Sequence, residues 1–437
     1  MLVLTFVTGL LSAIIAPRFG HWSDRYGRTR LMAISSAGGL AAELITILAA
    51  KFPETVDYRW LVLGSVCDGM LGSFTAGGLL TQSYATDCTP PSKRAVRFGY
   101  LHSCLFLGLA FGPLLAGYFI KLTGSLISMF YVAMGCHVIF ILVIGFVTPE
   151  SLSKRRRQAA KERHRKEKLM RKEATGVWLS RIQSVNLFEP LRILWPMEPG
   201  TNFRIRLNLL ALALADMIIL GASIAAGPVM ILYSEYMFGW GNFEASVFVS
   251  TLSLIRVALL LGIFPVINYF ARVRPARRRR AMGIDTPDKN SGADTLDVWI
   301  IRIAFVGEVV GCTGYILARH EAVFFASGMM MALGGVGSAT MQAAMTKLIP
   351  ADKVGQFLGA TGMLHALARI IGPVMFNGIY AATVGTFPQA FFVVLLSFFG
   401  FALIMSFCVK KNSKFLLISL CITPTKMCSV ADIVFSF

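Results

Sequence analysis

Gly20-His21-Trp22-Ser23-Asp24-Arg25-Tyr26-Gly27-Arg28-Thr29-Arg30 decides how this chain is read. The stretch packs one acid, three arginines and two glycines between apolar runs at about 2–19 and 31–50. Each run approaches the roughly 20 residues that cross a hydrocarbon core. The stretch is therefore a short polar turn between two membrane crossings. Further apolar runs follow at about 60–86, 96–120, 125–147, 207–233, 245–270, 298–318, 322–346, 355–383 and 388–409. Eleven helical crossings are expected.

Composition agrees. The chain is 55% hydrophobic and 15% charged, with a mean hydropathy of +0.65. Soluble domains carry about 25% charged residues. The 437 residues could make two or three soluble domains, but the apolar runs favour one polytopic membrane unit.

The net charge of +19 raises the question of nucleic acid. The distribution argues against it, because the basic residues cluster in alternate loops. One side holds Arg25/Arg28/Arg30, Lys93/Arg94/Arg97, a central run, Arg272 to Arg280, and Lys347/Lys353, with Lys410, Lys411 and Lys414 in the tail. The opposite loops are sparse or mixed in charge. This is the positive-inside pattern and assigns the basic side to the cytosol. The eight cysteines form no CxxC pair, and no His/Cys group has metal-ligand spacing, so no metal or other cofactor is expected. No nucleophile–base arrangement points to an enzyme. No GxxxxGK[ST] loop points to ATP. Leu2 to Ala16 lacks the basic stretch that precedes a cleavable leader.

The expected organisation is a membrane bundle over 1–148, a basic linker over 149–205, a second bundle over 206–409 and a tail over 410–437. Within the linker, Lys154 to Glu173 is dense in Lys and Arg, as suits a solvated helix or a face against anionic lipid. Phe188 to Pro196 has the character of an interfacial stretch. Residues 281–297 read as a flexible insertion from their Gly, Pro, Asn and Asp content. The bundles also share a repeat. A shift of about 260 positions aligns Gly77 with Gly337, Gln82 with Gln342, Thr86 with Thr346 and Pro90 with Pro350. It continues through Lys93/Lys353, Gly99/Gly359, Gly112/Gly372 and Pro113/Pro373. The second-half counterpart of the Asp24 turn, Pro265 to Arg280, lacks the acid and the glycines.

The Gly20–Arg30 turn resembles the conserved loop G-x-x-x-D-R-x-G-R-[RK] of the major facilitator superfamily. Gly20, Asp24, Arg25, Gly27 and Arg28 match in place, and Thr29 replaces a usually basic residue. The resemblance implies an all-α polytopic membrane protein, built as two pseudo-symmetric helical bundles. It also implies a conformational gate at this loop, together with Asp87 at the end of the 60–86 run. Against a twelve-helix pattern, the first crossing has no counterpart, and a shortened gene model or fragment is expected. Gly99, Gly108, Gly112-Pro113 and Ala116-Gly117 resemble the antiporter motif G-x8-G-x3-G-P-x2-G-G, in which small residues allow close packing and proline bends the helix. With Ser83 to Asp87, the stretch is similar to the tetracycline/proton antiporter branch and to that of the proton-coupled folate transporter. These two transport in opposite directions, so antiporter and symporter both stand open.

Ionisable residues inside apolar runs are costly and mark function. Asp68 stands where drug/proton antiporters usually carry Arg. Asp68, Thr75 and Gln82 recur at seven-residue spacing, which places them on one helix face lining a cavity. Asp216, Arg256, Gln342 and Arg369 complete the expected substrate or proton pathway. Ser223 shares a face with Asp216, and His365 lies one turn before Arg369. Glu43 and Glu308 suit structural pairs or a lipid edge, Arg302 snorkels to the interface, and His102 and His137 read as packed polar residues. The expected function is alternating-access transport of a small organic solute, coupled to protons. The expected protein is a monomer in membrane lipid, at the plasma membrane or a vacuolar or other organelle membrane. A non-transporting membrane sensor or receptor, or an inactive truncated transporter, is the competing reading.

Overall fold

The computed structural model describes residues 2–183, 189–196, 203–282, 292–350 and 352–409. The tail over 410–437, most of the 281–297 insertion, Phe188 and the segment 197–202 lie outside the described residues. All regular structure among the described residues is helical. In chain order the α-helices are α1 Leu2–Tyr26, α2 Arg28–Lys51, α3 Trp60–Met70, α4 Ser73–Asp87, α5 Arg94–Thr123, α6 Ile127–Leu142, α7 Lys154–Gln183 and α8 Phe203–Phe238. They continue as α9 Asn242–Ala258, α10 Phe264–Asn268, α11 Arg274–Ala281, α12 Thr295–Leu317, α13 Glu321–Met331, α14 Gly334–Leu348, α15 Val354–Thr383 and α16 Ala390–Cys408.

Ten helical stretches among the described residues are long and apolar enough to cross a membrane. The chain is thus an integral, multi-pass membrane protein. The run expected as a single helix over 60–86 is instead two, α3 and α4. Neither alone reaches the length of a crossing. Gly72 takes φ +88° and Ser73 φ +51°, so the backbone turns left-handed between them. Glycine adopts that conformation freely and serine does not, which fixes the break at this dipeptide. The seven-residue face drawn through Asp68, Thr75 and Gln82 is therefore interrupted between the first two.

The 322–346 run breaks as well, between α13 and α14 at Ala332–Leu333. Moving Gly72 by the 260-residue repeat shift lands on Ala332, so the two interruptions occupy equivalent places. The equivalence is one of position: Gly72 and Ser73 turn left-handed, whereas Ala332 and Leu333 remain right-handed.

α1 lies along α15, and α5 lies along α9 and α14. These contacts join the first half of the chain to the second. In lipid such packing draws on close van der Waals fit rather than water exclusion. A Cβ on Gly359 would come within 3.0 Å of the Pro17 Cα, and one on Gly20 would collide with the Gly355 carbonyl. Small residues therefore set the α1–α15 spacing at the basic end.

At the other end an aromatic nest holds the second half. Tyr233 meets Phe392 at 5.1 Å between ring centroids, Tyr315 meets Phe392 at 5.0 Å, and Tyr315 meets Phe324 at 4.5 Å. Each such pair contributes about 0.5–1.5 kcal/mol beyond burial. By contrast α6 has no buried residue and presents its surface outward.

The basic linker run forms α7. It reaches both halves at the basic face: the Lys161 ammonium sits 5.3 Å from the Tyr26 ring centre, and Arg163 pairs with Asp352.

Candidate transport site and gate

The α1–α2 turn is built around Arg28, whose side chain is fully buried. Its guanidinium lies 2.7 Å from Asp24 and 3.1 Å from Asp87 at the end of α4, and it also bonds to the Ser23 hydroxyl. Asp24 in turn accepts from the Gln356 backbone N–H at the start of α15. The acid thus links the turn to the opposite half.

Gly27 holds the turn at φ +109°, a conformation that suits glycine. A Cβ there would also strike the Glu150 carboxylate. That carboxylate accepts from the Arg28 backbone N–H at 2.9 Å, and from the Thr29 N–H and hydroxyl at 3.3 and 3.0 Å. Glu150 was not singled out from the sequence, since nothing near it in the chain advertises a partner 122 positions away. Arg25 donates back to the His21 carbonyl on its own helix at 3.1 Å.

A second charge cluster corrects the sequence reading of the other half. Asp297, expected in a flexible insertion, lies in the first turn of α12, which Asp294 caps. Its carboxylate is fully buried, 2.6 Å from Arg272 and 2.7 Å from Lys347, and Arg272 also pairs with Asp294 at 3.2 Å. The Pro265–Arg280 stretch lost its own acid, and an acid from the next helix supplies the charge. The centre is an acid between two bases, where the first half has a base between two acids.

Between these clusters and the aromatic end, polar side chains from both halves meet inside the bundle. The Gln82 amide of α4 donates to Gln342 Oε1 of α14 at 2.8 Å. His102 Nε2 of α5 approaches the same oxygen at 3.1 Å. Gln342 Nε2 then donates to Asp216 Oδ1 at 3.2 Å, and His365 Nε2 of α15 is 2.8 Å from Asp216 Oδ2. Asp216 is 1% exposed. Beside this chain, Arg369 donates to the Thr75 hydroxyl at 3.3 Å and lies 5.5 Å from the Phe74 ring centre.

The other expected pathway residues are placed apart from the chain. Asp68 accepts from the Ser73 hydroxyl at 2.7 Å, across the α3–α4 break, and acts electrostatically on Arg369. Arg256 stacks 4.9 Å from the Phe106 ring centre and faces buried Glu308. Glu308 Oε2 and Arg256 Nε have no hydrogen-bond partner there. Arg302 lies 4.6 Å from the Phe407 ring centre, and His137 bonds to Ser36 at 2.9 Å. In the α5 glycine series only Gly99 is closely packed, with a Cβ there 3.1 Å from the Phe264 ring. No atom lies within 4 Å of a Cβ placed on Gly108, Gly112 or Gly117, and Pro113 sits inside a continuous helix.

The family model of the Major Facilitator Superfamily matches residues 1–284. The chain belongs to the major facilitator superfamily. Among curated relatives it is similar to the MFS-type transporter avaJ of Aspergillus versicolor, 28% identical over 94% of this chain and 76% of that one. It is also similar to the class C tetracycline resistance protein of Escherichia coli, 23% identical over 90% of this chain and 83% of that one. Among solved structures it resembles the human organic anion transporter MFSD10 (TETRAN), with a TM-score of 0.69 and 16% identity, covering 93% of this chain and 83% of that one. At that identity the last likeness shows the facilitator fold alone. Together these findings identify a secondary transporter. They are consistent with the arrangement of this facilitator, two related halves meeting along α1–α15 and α5–α14.

Proposed function

We propose that the protein carries a small organic solute across a membrane by alternating access, with proton movement coupled to the cycle. The observation that carries this reading is the buried polar chain Gln82–Gln342–Asp216–His365, which crosses from one half to the other. Ionisable groups inside membrane helices are costly, pair with one another, and mark substrate or ion pathways. A solute seated there would replace the interhalf hydrogen bonds, so that filling and emptying the site changes how the halves attract each other.

Arg369, with Thr75 and the Phe74 face beside it, favours an anionic or zwitterionic solute. MFSD10, which shares this fold, is an organic anion transporter. The Asp24–Arg28–Asp87 cluster serves as the gate on the basic side, which the positive-inside pattern assigns to the cytosol. Opening that side requires Asp24 to leave Gln356 and α1 to leave α15.

Uptake into proteoliposomes under an imposed pH gradient tests the reading, with a panel of fluorescent organic anions as probes. Accumulation that follows the gradient and is weakened in Arg369→Ala supports it. A correctly inserted protein that moves no probe and ignores the gradient overturns it in favour of a sensor.

A further inference from the structure

A cavity of about 240 Å³ opens at the basic face, where α4 ends and α15 begins. Thr86, Asp87 and Arg94 of the first half, Arg156 of α7 and Val354 of the second half line it. Its walls therefore come from both halves and from the linker between them. The acid in the lining is already matched by a base outside it. Asp87 lies 3.1 Å from the fully buried Arg28 and accepts from the Ser151 hydroxyl at 3.3 Å.

The lining also holds two guanidinium groups. Arg94 is buried and donates to the Thr89 carbonyl at 3.3 Å and, across the seam, to the Thr346 carbonyl at 3.1 Å. Carbonyls share its hydrogens but carry no net charge to set against its own. Arg156 is exposed, and its backbone N–H donates to the Ser153 hydroxyl at 3.3 Å, which fixes the first turn of α7 beside the cavity. Lys93 and Lys353 stand next to lining residues in the chain and strengthen the positive field. Guanidinium groups grip phosphate oxygens through paired N–H bonds. A phosphate monoester carries about 1.5 to 2 negative charges at neutral pH, enough to match both arginines, where a carboxylate carries one.

We propose that this cavity binds a phosphate monoester, free in the aqueous phase or carried as a lipid headgroup, and that the bound anion holds the basic side closed. Opening that side draws Val354 and the Thr346 carbonyl away from Arg94 and takes the cavity apart. A ligand that fits only the closed arrangement shifts the population toward it. The phosphate then acts as a brake on the cycle, at a site separate from Arg369 and the polar chain around Asp216. The word brake rests on the transport reading, whereas the binding is testable with no solute present.

The test uses the full-length protein purified in detergent micelles. Equilibrium dialysis against radiolabelled inorganic phosphate reads binding, and hydrogen exchange reads the α1–α15 seam at 16–20 and 355–359. Loaded wild type should exchange about tenfold more slowly along the seam. Arg156→Gln should bind about tenfold more weakly. Arg155→Gln, the neighbour outside the lining, should bind as wild type does. Gly359→Trp wedges α1 away from α15 and leaves every lining residue in place, so its binding should also fall at least about tenfold. Gly20→Leu repeats that wedge from the facing helix, and size-exclusion elution checks that both fold. Glycerol 3-phosphate in solution and phosphatidic acid in mixed micelles distinguish the two sources: the one that slows the seam at lower concentration names it. A wild-type seam indifferent to all three phosphates overturns the proposal. So does equal weakening by Arg155→Gln and Arg156→Gln, which marks a general basic surface, or undiminished binding in the folded wedge variants. Failure of solute uptake would leave these readings intact, and their failure would leave uptake intact.

Discussion

Gln82 and Gln342 donate and accept a single 2.8 Å hydrogen bond although they stand 260 positions apart. That offset is the one that superposes the two halves of the sequence. Equivalent residues of a duplicated unit touch only near the axis relating the copies, so the bond marks where the halves meet. Gln82→Leu removes that one bond and should cost about 1 kcal/mol, whereas Gln342→Leu also strands His102 and buried Asp216 and should cost clearly more. Thermal unfolding of the two variants checks this, and equal losses would contradict it.

Arg28 is buried against two acids, and removing it strands both. Arg28→Ala should lower stability by about 3–5 kcal/mol, and Arg28→Met together with Asp24→Asn and Asp87→Asn should recover much of that. Unfolding midpoints of the single and triple variants decide the point.

Asp297→Asn leaves Arg272 and Lys347 facing each other with only the partly exposed Asp294 between them. A loss of about 3–5 kcal/mol is expected. The half-exposed pair Arg163–Asp352 provides the contrast. Asp352→Asn should cost at most about 1 kcal/mol, because solvent screens it. Similar losses at the two sites would show that burial does not set their worth.

Gly27→Ala meets two obstacles, a positive φ and the Glu150 carboxylate. A destabilisation exceeding about 1 kcal/mol is expected. Glu150→Ala alone should also destabilise, by losing its bonds to Arg28 and Thr29, and the double variant should lose less than the two single losses together because the collision is gone. A double-mutant cycle read by thermal unfolding measures the two contributions.

Arg369→Ala should raise the concentration needed for half-maximal uptake of an anionic probe at least about tenfold, corresponding to loss of one charge-assisted contact of about 1.5–3 kcal/mol. Arg256→Ala, whose guanidinium stacks on Phe106 and faces Glu308, should affect stability more than probe affinity. Concentration-dependent uptake and unfolding, measured together, separate the two arginines.

The crossings were legible because roughly 20 apolar residues are needed whatever their neighbours do. The Gly20–Arg30 turn was legible because its glycines and charges are local. What escaped were relationships across distance. His365 and Asp216 are 149 positions apart, and neither position carries a pattern naming the other. Asp297 was read from the composition of its surroundings as part of a loop, whereas Lys347, 50 positions on, makes it a buried centre. The break at Gly72 undid a periodicity argument, since a seven-residue spacing defines a face only while the helix continues. The matching break at Ala332–Leu333 has no glycine at the junction itself, so sequence alone offered no signal for it.

Asp87 and Lys347 fall at equivalent positions under the repeat shift, yet one serves an arginine and the other an aspartate. The copies have diverged into complementary polarity and can no longer stand in for one another. Grafting the end of α4 in place of the end of α14 would set an acid against Asp297, and the reciprocal graft would set a base against Arg28. A chimera assembled from two first halves, or two second halves, should therefore need its charge centres rewritten before it could assemble.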